Sequence, residues 1–141
     1  MRPELVGAVV DALLPGDGGS PALPSATAAG VAARLEADIT AHRSVLDAIA
    51  HAAGGEDAFL AAGAARRADA LRQVEAAMPD VFAALLLAVV EEYYDADAVL
   101  LAMGWPVEPP QPNGHPLPAF DEALVEKVRK RAPMWRDPRE S

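Results

Sequence analysis

The stretch VAARLEADITAHRSVLDAI, residues 31–49, decides the fold class of this chain of 141 residues. Its apolar side chains recur at alternating steps of four and three residues, which is the spacing of one face of an α-helix. The stripe consists of Val31, Leu35, Ile39, Leu46 and Ile49, with His42 among them. We therefore predict one long amphipathic helix, which ends where Gly54 and Gly55 can leave the helical conformation.

The segments on both sides of this helix also carry helical signals. Pro3 suits a first helical turn, and apolar residues at helical spacing follow it as far as Pro15 and Gly16. After a loop rich in glycine and proline, Ser25 or Thr27 is placed to cap the long helix. After the long helix, two shorter ones are predicted, around residues 57–62 and 65–78.

The next helix is apolar on nearly every side. Asp80 is placed to cap it after Pro79, and its apolar run extends through Val90. Because a surface helix has only one apolar stripe, we expect this helix to lie at the centre of the core. The run is too short to span a bilayer, so we expect no direct insertion into a membrane.

The remainder of the chain is divided by prolines. Asp95 is expected to cap a short helix that ends at Gly104, and Asp121 to cap a last helix. Between them, residues 105–118 read WPVEPPQPNGHPLP, and so many prolines exclude both helices and sheet ladders. No alternating pattern predicts a strand. We predict an all-α fold: a single helical domain over residues 1–141, with six or seven helices, this proline-rich strap at 105–118 and a polar tail at 136–141.

Composition and charge exclude several classes of function. The formal net charge of -9 argues against nucleic acid as a partner, because phosphate binding needs clustered cations. The absence of cysteine excludes disulfides, zinc–thiolate sites, iron–sulfur clusters and a cysteine nucleophile. No Lys or Arg occurs between Arg72 and Lys127. A cation is nevertheless expected beside Glu91 and Glu92, because carboxylates are unfavourable at a helix C-terminus. We expect Arg129 or Arg131 of the last helix, or a partner protein, to supply it.

The polar side chains offer little for catalysis. Asp38 and His42, and likewise Asp47 and His51, lie one helical turn apart, but the two pairs point to opposite sides of the helix. Because two ligands seldom hold a metal, we expect a core His42 tied to Asp38 and an exposed Asp47–His51 pair. No hydrolase motif is found, and we predict no catalytic, metal-binding or cofactor-binding residue in this chain.

Aromatic side chains concentrate after Glu92. Tyr93 and Tyr94 are about 100° apart on a helix, so we expect one to be more buried than the other. Trp105 and Trp135 lie close in sequence to the proline-rich strap and to the arginine-rich end. Aromatic side chains and arginine are enriched in the cores of protein interfaces, so these two rings predict either a partner surface or anchors for the strap.

Two stretches resemble a known family. Residues 91–136, EEYYDADAVLLAMGWPVEPPQPNGHPLPAFDEALVEKVRKRAPMWR, and residues 11–26, DALLPGDGGSPALPSA, are similar to the gluconate 2-dehydrogenase subunit 3 family. The resemblance implies a small, non-catalytic accessory subunit that binds and stabilises a larger FAD-dependent dehydrogenase of the glucose-methanol-choline type, acting on a sugar or polyol. It also implies that FAD is held by that partner, and that a cytochrome c subunit is a further partner.

The resulting hypothesis places the partner interface in the second half of the chain. The residues assigned to it are Tyr93, Tyr94, Trp105, Pro106, Pro109, Pro110, Gln111, Pro112, His115, Trp135 and Arg136. The alternative is a stand-alone helical module that binds a small ligand through His42 and Asp38. Since no signal peptide precedes the first helix, the sequence predicts a cytoplasmic location, or a periplasmic one if a partner carries the signal or the chain has been trimmed.

Overall fold

The computed structural model describes residues 2–109, 114 and 119–131. The chain forms two compact units, Met1–Pro109 and Pro110–Ser141. All regular secondary structure in the described residues is helical, which confirms the predicted all-α fold. None of the helices in this described part of the chain is long and apolar enough to cross a membrane.

The first unit contains seven of the described α-helices and one 3-10 turn. In chain order, these are α1 (Pro3–Leu13), α2 (Val31–Leu35), the 3-10 turn (Glu36–Asp38), α3 (Ile39–Ala52), α4 (Glu56–Ala61), α5 (Ala64–Ala77), α6 (Pro79–Tyr94) and α7 (Asp97–Ala102). The second unit contains α8 (Ala123–Arg129).

Local sequence signals explain where most helices begin and end. Proline occupies the first turn of both α1 and α6, where its missing N–H leaves no hydrogen bond unmade. At the end of α3, Gly54 adopts a φ of 92°, and the Gly55 N–H donates to the Ala50 carbonyl at 2.8 Å. This is the glycine-terminated end that the sequence predicted. The Ser25 hydroxyl accepts from the Ala28 N–H at 3.3 Å, so Ser25 caps the turn before α2.

The long helix predicted over residues 31–49 is interrupted. The 3-10 turn separates α2 from α3, and Asp38 has backbone angles of φ -123° and ψ 33°, outside the helical region. The interruption lets α2 pack on α6 while α3 packs mainly on α5. The apolar spacing runs through the break because both pieces face the same core, with Leu35 and Leu46 buried on either side of it.

The core of the first unit is made of small and medium aliphatic side chains. All buried apolar side chains in the described residues lie between Leu5 and Val99, and none of the described charged or polar side chains is buried. Phe59, on the short α4, is the largest fully buried side chain. The Arg67 guanidinium lies 5.6 Å from the centre of the Phe59 ring. It also donates to the Phe59 and Leu60 carbonyls, and so caps the C-terminal end of α4.

Helix α6 is not the fully enclosed central helix that its hydropathy predicted. One face packs against α2, α3 and α5 and buries Phe82, Leu85, Val89 and Tyr93. The other face leaves Leu86 and Leu87 exposed. The neighbouring helices of the first unit therefore cover only one side of α6.

The two acidic caps predicted around α6 are also displaced. The helix begins at Pro79, so Asp80 lies within the first turn instead of before it. Asp95 closes the C-terminus of α6, and Ala96 is the residue that precedes α7. Asp80 lies two positions after the N-cap residue Met78, and Asp95 lies one position before the N-cap residue Ala96, so the two helix starts differ from the prediction by two residues and by one.

Candidate functional site

The last turn of α6 holds two adjacent tyrosines with different environments. Tyr93 is only 3% exposed, and its hydroxyl donates to the Pro24 carbonyl at 2.7 Å. Burial raises the pKa of Tyr93 above its ordinary value. Tyr94 is 48% exposed, and its ring meets that of Tyr93 edge to face at 5.4 Å. The expected unequal burial is confirmed: Tyr93 belongs to the core, and Tyr94 lies at the surface.

A tight turn after α7 sets the position of Trp105. Gly104 adopts a φ of 80°, the Trp105 N–H donates to the Leu100 carbonyl at 2.9 Å, and the Gly104 N–H donates to Leu101 at 3.0 Å. These two bonds form a Schellman motif, which fixes the direction of the chain as it leaves the helix. The Trp105 ring is 62% exposed. The helices of the first unit therefore leave most of this ring uncovered.

Further apolar side chains are exposed beside Trp105 in sequence. We call this set the apolar end of the first unit; its members are Tyr94, Leu101, Met103, Trp105 and Val107, all exposed. Pro106 and Pro109 of the predicted interface are also exposed. The other predicted interface residues lie outside the described residues: Pro110, Gln111, Pro112, His115, Trp135 and Arg136.

The cation expected at the end of α6 comes from α2. The Arg34 Nε donates to the Glu92 Oε2 at 2.5 Å, and the Arg34 Nη2 donates to the Glu92 backbone carbonyl at 2.5 Å. Arg129, one of the two cations predicted from sequence, pairs with Glu122 of its own unit at 3.0 Å. The need for a cation follows from the helix dipole, whereas its source depends on the packing of α2 against α6.

The second unit presents a helix with an apolar stripe. The Asp121 carboxylate accepts from the Ala123 N–H at 2.9 Å, which confirms that Asp121 caps α8. Phe120, Leu124 and Val128 recur every four residues and are all exposed. The Lys130 ammonium lies 3.4 Å from the Glu126 carboxylate one turn away.

The histidines do not form a site. His42 is half-buried and Asp38 exposed, and within the described residues neither side chain makes a hydrogen bond, so the expected Asp38–His42 contact is not formed. Asp47 and His51 are both exposed, as expected, but within the described residues they form no ion pair. Among residues 2–109, 114 and 119–131, no three His, Asp or Glu side chains converge where they could hold a metal ion.

Two clefts are lined by residues of α3, α4 and α5 and by residues that directly follow these helices. One, of about 370 Å³, is lined by Ala52, Ala53, Ala58, Ala61, Ala62, Arg66, Asp69, Ala70 and Gln73. The other, of about 320 Å³, is lined by Ala48, His51, Ala52, Gln73, Val74, Ala77 and Met78. Neither includes His42 or Asp38. Arg66 and Gln73 escaped the sequence analysis because an isolated polar residue on an alanine-rich helix resembles ordinary solvated surface.

The arrangement as a whole suits binding to an apolar surface. Large side chains are exposed at the apolar end, and the backbone that carries them is fixed by the Tyr93 and Arg34 contacts and by the turn at Gly104. No protein-family model, curated protein or solved structure matches this chain.

Proposed function

We propose that this chain is a non-catalytic accessory subunit that binds a larger FAD-dependent dehydrogenase through the apolar end of its first unit. The observation that supports this proposal is the exposed Trp105 ring on a fixed turn. Tryptophan exposed on a rigid support is typical of an interface anchor, because little conformational freedom is lost when a partner buries it.

The energetic gain from covering this surface is substantial. Burial of one large apolar side chain stabilises a complex by about 1.5–3 kcal/mol before the losses of association are subtracted. Tyr94, Leu101, Met103 and Trp105 together supply several such side chains within one short segment. A partner that covers them therefore offsets part of the free-energy cost of association.

The proposed class of partner comes from the family resemblance. The motif residues of that resemblance include the Tyr93–Tyr94 pair and the Gly104–Trp105–Pro106 turn. In the structure, these residues carry defined roles: Tyr93 anchors the end of α6, Gly104 turns the chain, and Tyr94 and Trp105 are exposed. A motif that builds and presents a surface, without a group suited to catalysis, supports a binding role beside a flavoprotein that performs the oxidation.

Co-purification with matched variants tests the proposal. The tagged chain is expected to retain a flavin-containing partner, and Trp105→Ala to retain much less of it. Trp105→Phe keeps an aromatic ring and is expected to retain an intermediate amount. If Trp105→Ala retains as much partner as the unaltered chain, the apolar end is not the interface. Sugar or polyol oxidation by the isolated chain would contradict the non-catalytic role.

The larger cleft favours a second candidate, a stand-alone module that binds a small ligand. Its volume of about 370 Å³ is within the range of small-molecule sites, and its polar groups are Arg66, Asp69 and Gln73. With a guanidinium at its edge, the cleft is suited to a small carboxylate. Thermal stabilisation of the chain by small carboxylic acids, lost in Arg66→Ala and kept in His42→Ala, would support this candidate; no stabilisation would exclude it.

A further inference from the structure

The exposed face of α6 is a second apolar surface, which shares Tyr94 with the apolar end of the first unit. Ala83, Leu87, Val90 and Tyr94 recur at helical spacing along it, with Leu86 beside them. Leu87 is 58% exposed, whereas Val90 is half-buried. The opposite face of the same helix is in the core. A helix that is apolar on all sides is normally covered on all sides, so α6 is suited to a contact that the first unit does not make.

Carboxylates lie at both ends of this face. Asp80 lies in the first turn, Glu91 lies one turn beyond Leu87, and Asp95 closes the helix; all three are exposed. Arg34 pairs with Glu92, but in the described part of the chain no cation lies within ion-pair distance of Asp80, Glu91 or Asp95. The sequence itself contains no Lys or Arg between residues 72 and 127.

Glu91 also lies at an unfavourable position for a carboxylate. It is in the last turn of α6, where the backbone carbonyls already concentrate negative charge. A cation brought by a partner would therefore interact with Glu91, Asp95 and the helix terminus together. A partner that fits this face therefore has an apolar stripe of its own, with positive charges beside it.

We propose that this face of α6 is a docking site for a cationic amphipathic helix of a partner protein. The stripe from Ala83 to Tyr94 extends over about 17 Å of helix axis, three turns, which matches the contact made by one packed helix. Leucine-like side chains of the partner helix cover Leu87 and Val90, and its Lys or Arg side chains flank them and reach Asp80 and Glu91.

Two other occupants fit the charges less well. In a pair of copies packed α6 against α6, an antiparallel arrangement brings Asp80 of one copy towards Glu91 of the other, and a parallel arrangement brings each carboxylate towards its equivalent; like charges so placed oppose association. An anionic membrane is repelled by the same carboxylates. This inference rests on α6 alone and holds whether or not the partner is a flavoprotein.

A pair of designed peptides tests the proposal on the full chain. One peptide is an amphipathic helix with leucine on one face and lysine on the other; the second has glutamate in place of every lysine. Isothermal titration calorimetry is expected to show binding of the lysine peptide, weaker at high salt, and no binding of the glutamate peptide.

Two leucines of nearly equal exposure, Leu87 and Leu101, provide the matched variants. Leu87→Asp adds a negative charge, which would strengthen nonspecific attraction of a cationic peptide; we expect it instead to weaken binding about tenfold, because it breaks the apolar stripe. Leu101→Asp adds the same charge on α7, at a side chain 59% exposed, and is expected to leave peptide affinity unchanged. It is nonetheless expected to reduce co-purification of the flavoprotein, so the two surfaces are tested separately.

A third variant separates binding from stability. Glu91→Gln is expected to weaken the lysine peptide about threefold while the thermal midpoint of the free chain stays equal or rises, since the substitution removes a carboxylate from a helix C-terminus. The proposal is overturned if the full chain does not bind the lysine peptide, whether because a second copy or another segment already occupies the face or because nothing binds there. It is also overturned if Leu87→Asp and Leu101→Asp have the same effect.

Discussion

Tyr93 and Tyr94 differ in what their hydroxyl groups do. The Tyr93 hydroxyl bonds to the Pro24 carbonyl, 69 residues away in sequence, and so ties the loop before α2 to the end of α6. No hydrogen bond to the Tyr94 hydroxyl is found within the described residues. The pair therefore offers an internal comparison in which one phenol contributes to stability and its neighbour contributes only surface.

Tyr93→Phe is expected to lower the free energy of unfolding by about 1 kcal/mol, because it removes one hydrogen bond without changing the ring. Tyr94→Phe is expected to leave it unchanged. Denaturant unfolding of both variants checks this difference. Equal stability of the two variants would show that the bond to Pro24 contributes nothing.

The stabilisation by Tyr93 depends on pH in a defined direction. Burial raises its pKa in the folded state above the unfolded value, so the folded protein holds this proton more tightly. The contribution is therefore fully present below a pH of about 10, the unfolded value, and is lost as the pH rises through the folded pKa. The stability difference between the unaltered chain and Tyr93→Phe should shrink over that alkaline range, as measured by unfolding at several pH values.

Arg34 is the second residue that fixes the end of α6. Arg34→Ala is expected to lower the free energy of unfolding by about 0.5–1 kcal/mol, since the ion pair is partly exposed and one bond reaches a backbone carbonyl. Arg72→Ala, which breaks an exposed pair with Asp69 within one helix, is the matched control and is expected to change it by less than about 0.5 kcal/mol. Similar losses in both variants would mean that Arg34 acts only as a surface charge.

At the scale of the helix, Gly104 controls how α7 ends. Gly104→Ala is expected to destabilise the protein by about 1 kcal/mol, because its φ of 80° strains an L-residue although a Cβ there meets no atom within 4 Å. Gly18, in the loop after α1, has equally open surroundings and no left-handed φ, so Gly18→Ala is expected to change stability by less than about 0.5 kcal/mol. Thermal unfolding of both variants measures the difference; equal midpoints would contradict a role for the left-handed turn.

The elements that could be predicted from sequence are those whose limits are local. Proline at the start of α1 and glycine after α3 and α7 act through their own backbone geometry, so their positions could be predicted, whereas Pro79 was predicted to precede α6 and instead begins it. The break between α2 and α3 was not readable, because Glu36–Asp38 interrupts the backbone without interrupting the apolar spacing. Periodicity records which residues face the core, and both pieces face it.

Helix α6 shows the second limit of the sequence analysis. Its hydropathy correctly identifies residues that favour burial on both faces, but the sequence does not say what covers each face. The first unit covers the face of Phe82 and Leu85 and leaves that of Leu87 exposed. Which face of α6 stays exposed depends on how the neighbouring helices pack, and hydropathy alone does not specify this.

At the scale of the whole molecule, the sequence predicted part of the candidate site, and the rest depends on how the helices pack. The sequence pointed to Tyr94 and Trp105, and the structure exposes both. The sequence also assigned Tyr93 to the interface, but the structure buries Tyr93 in the core. The sequence does not show which of two adjacent tyrosines is buried, because that depends on which side of α6 faces the core. Arg34 was missed because its partner, Glu92, lies 58 residues away and only the fold brings them together.

The most direct test of the accessory-subunit account is a co-purification of the tagged, full-length chain at modest salt from cells that express it natively. The absorbance spectrum and the mass of what accompanies it would then be recorded. The account predicts a yellow complex with a larger flavoprotein, and loss of that colour when Tyr94 and Trp105 are both replaced by alanine. A colourless chain that purifies alone, or a complex indifferent to both substitutions, would contradict it.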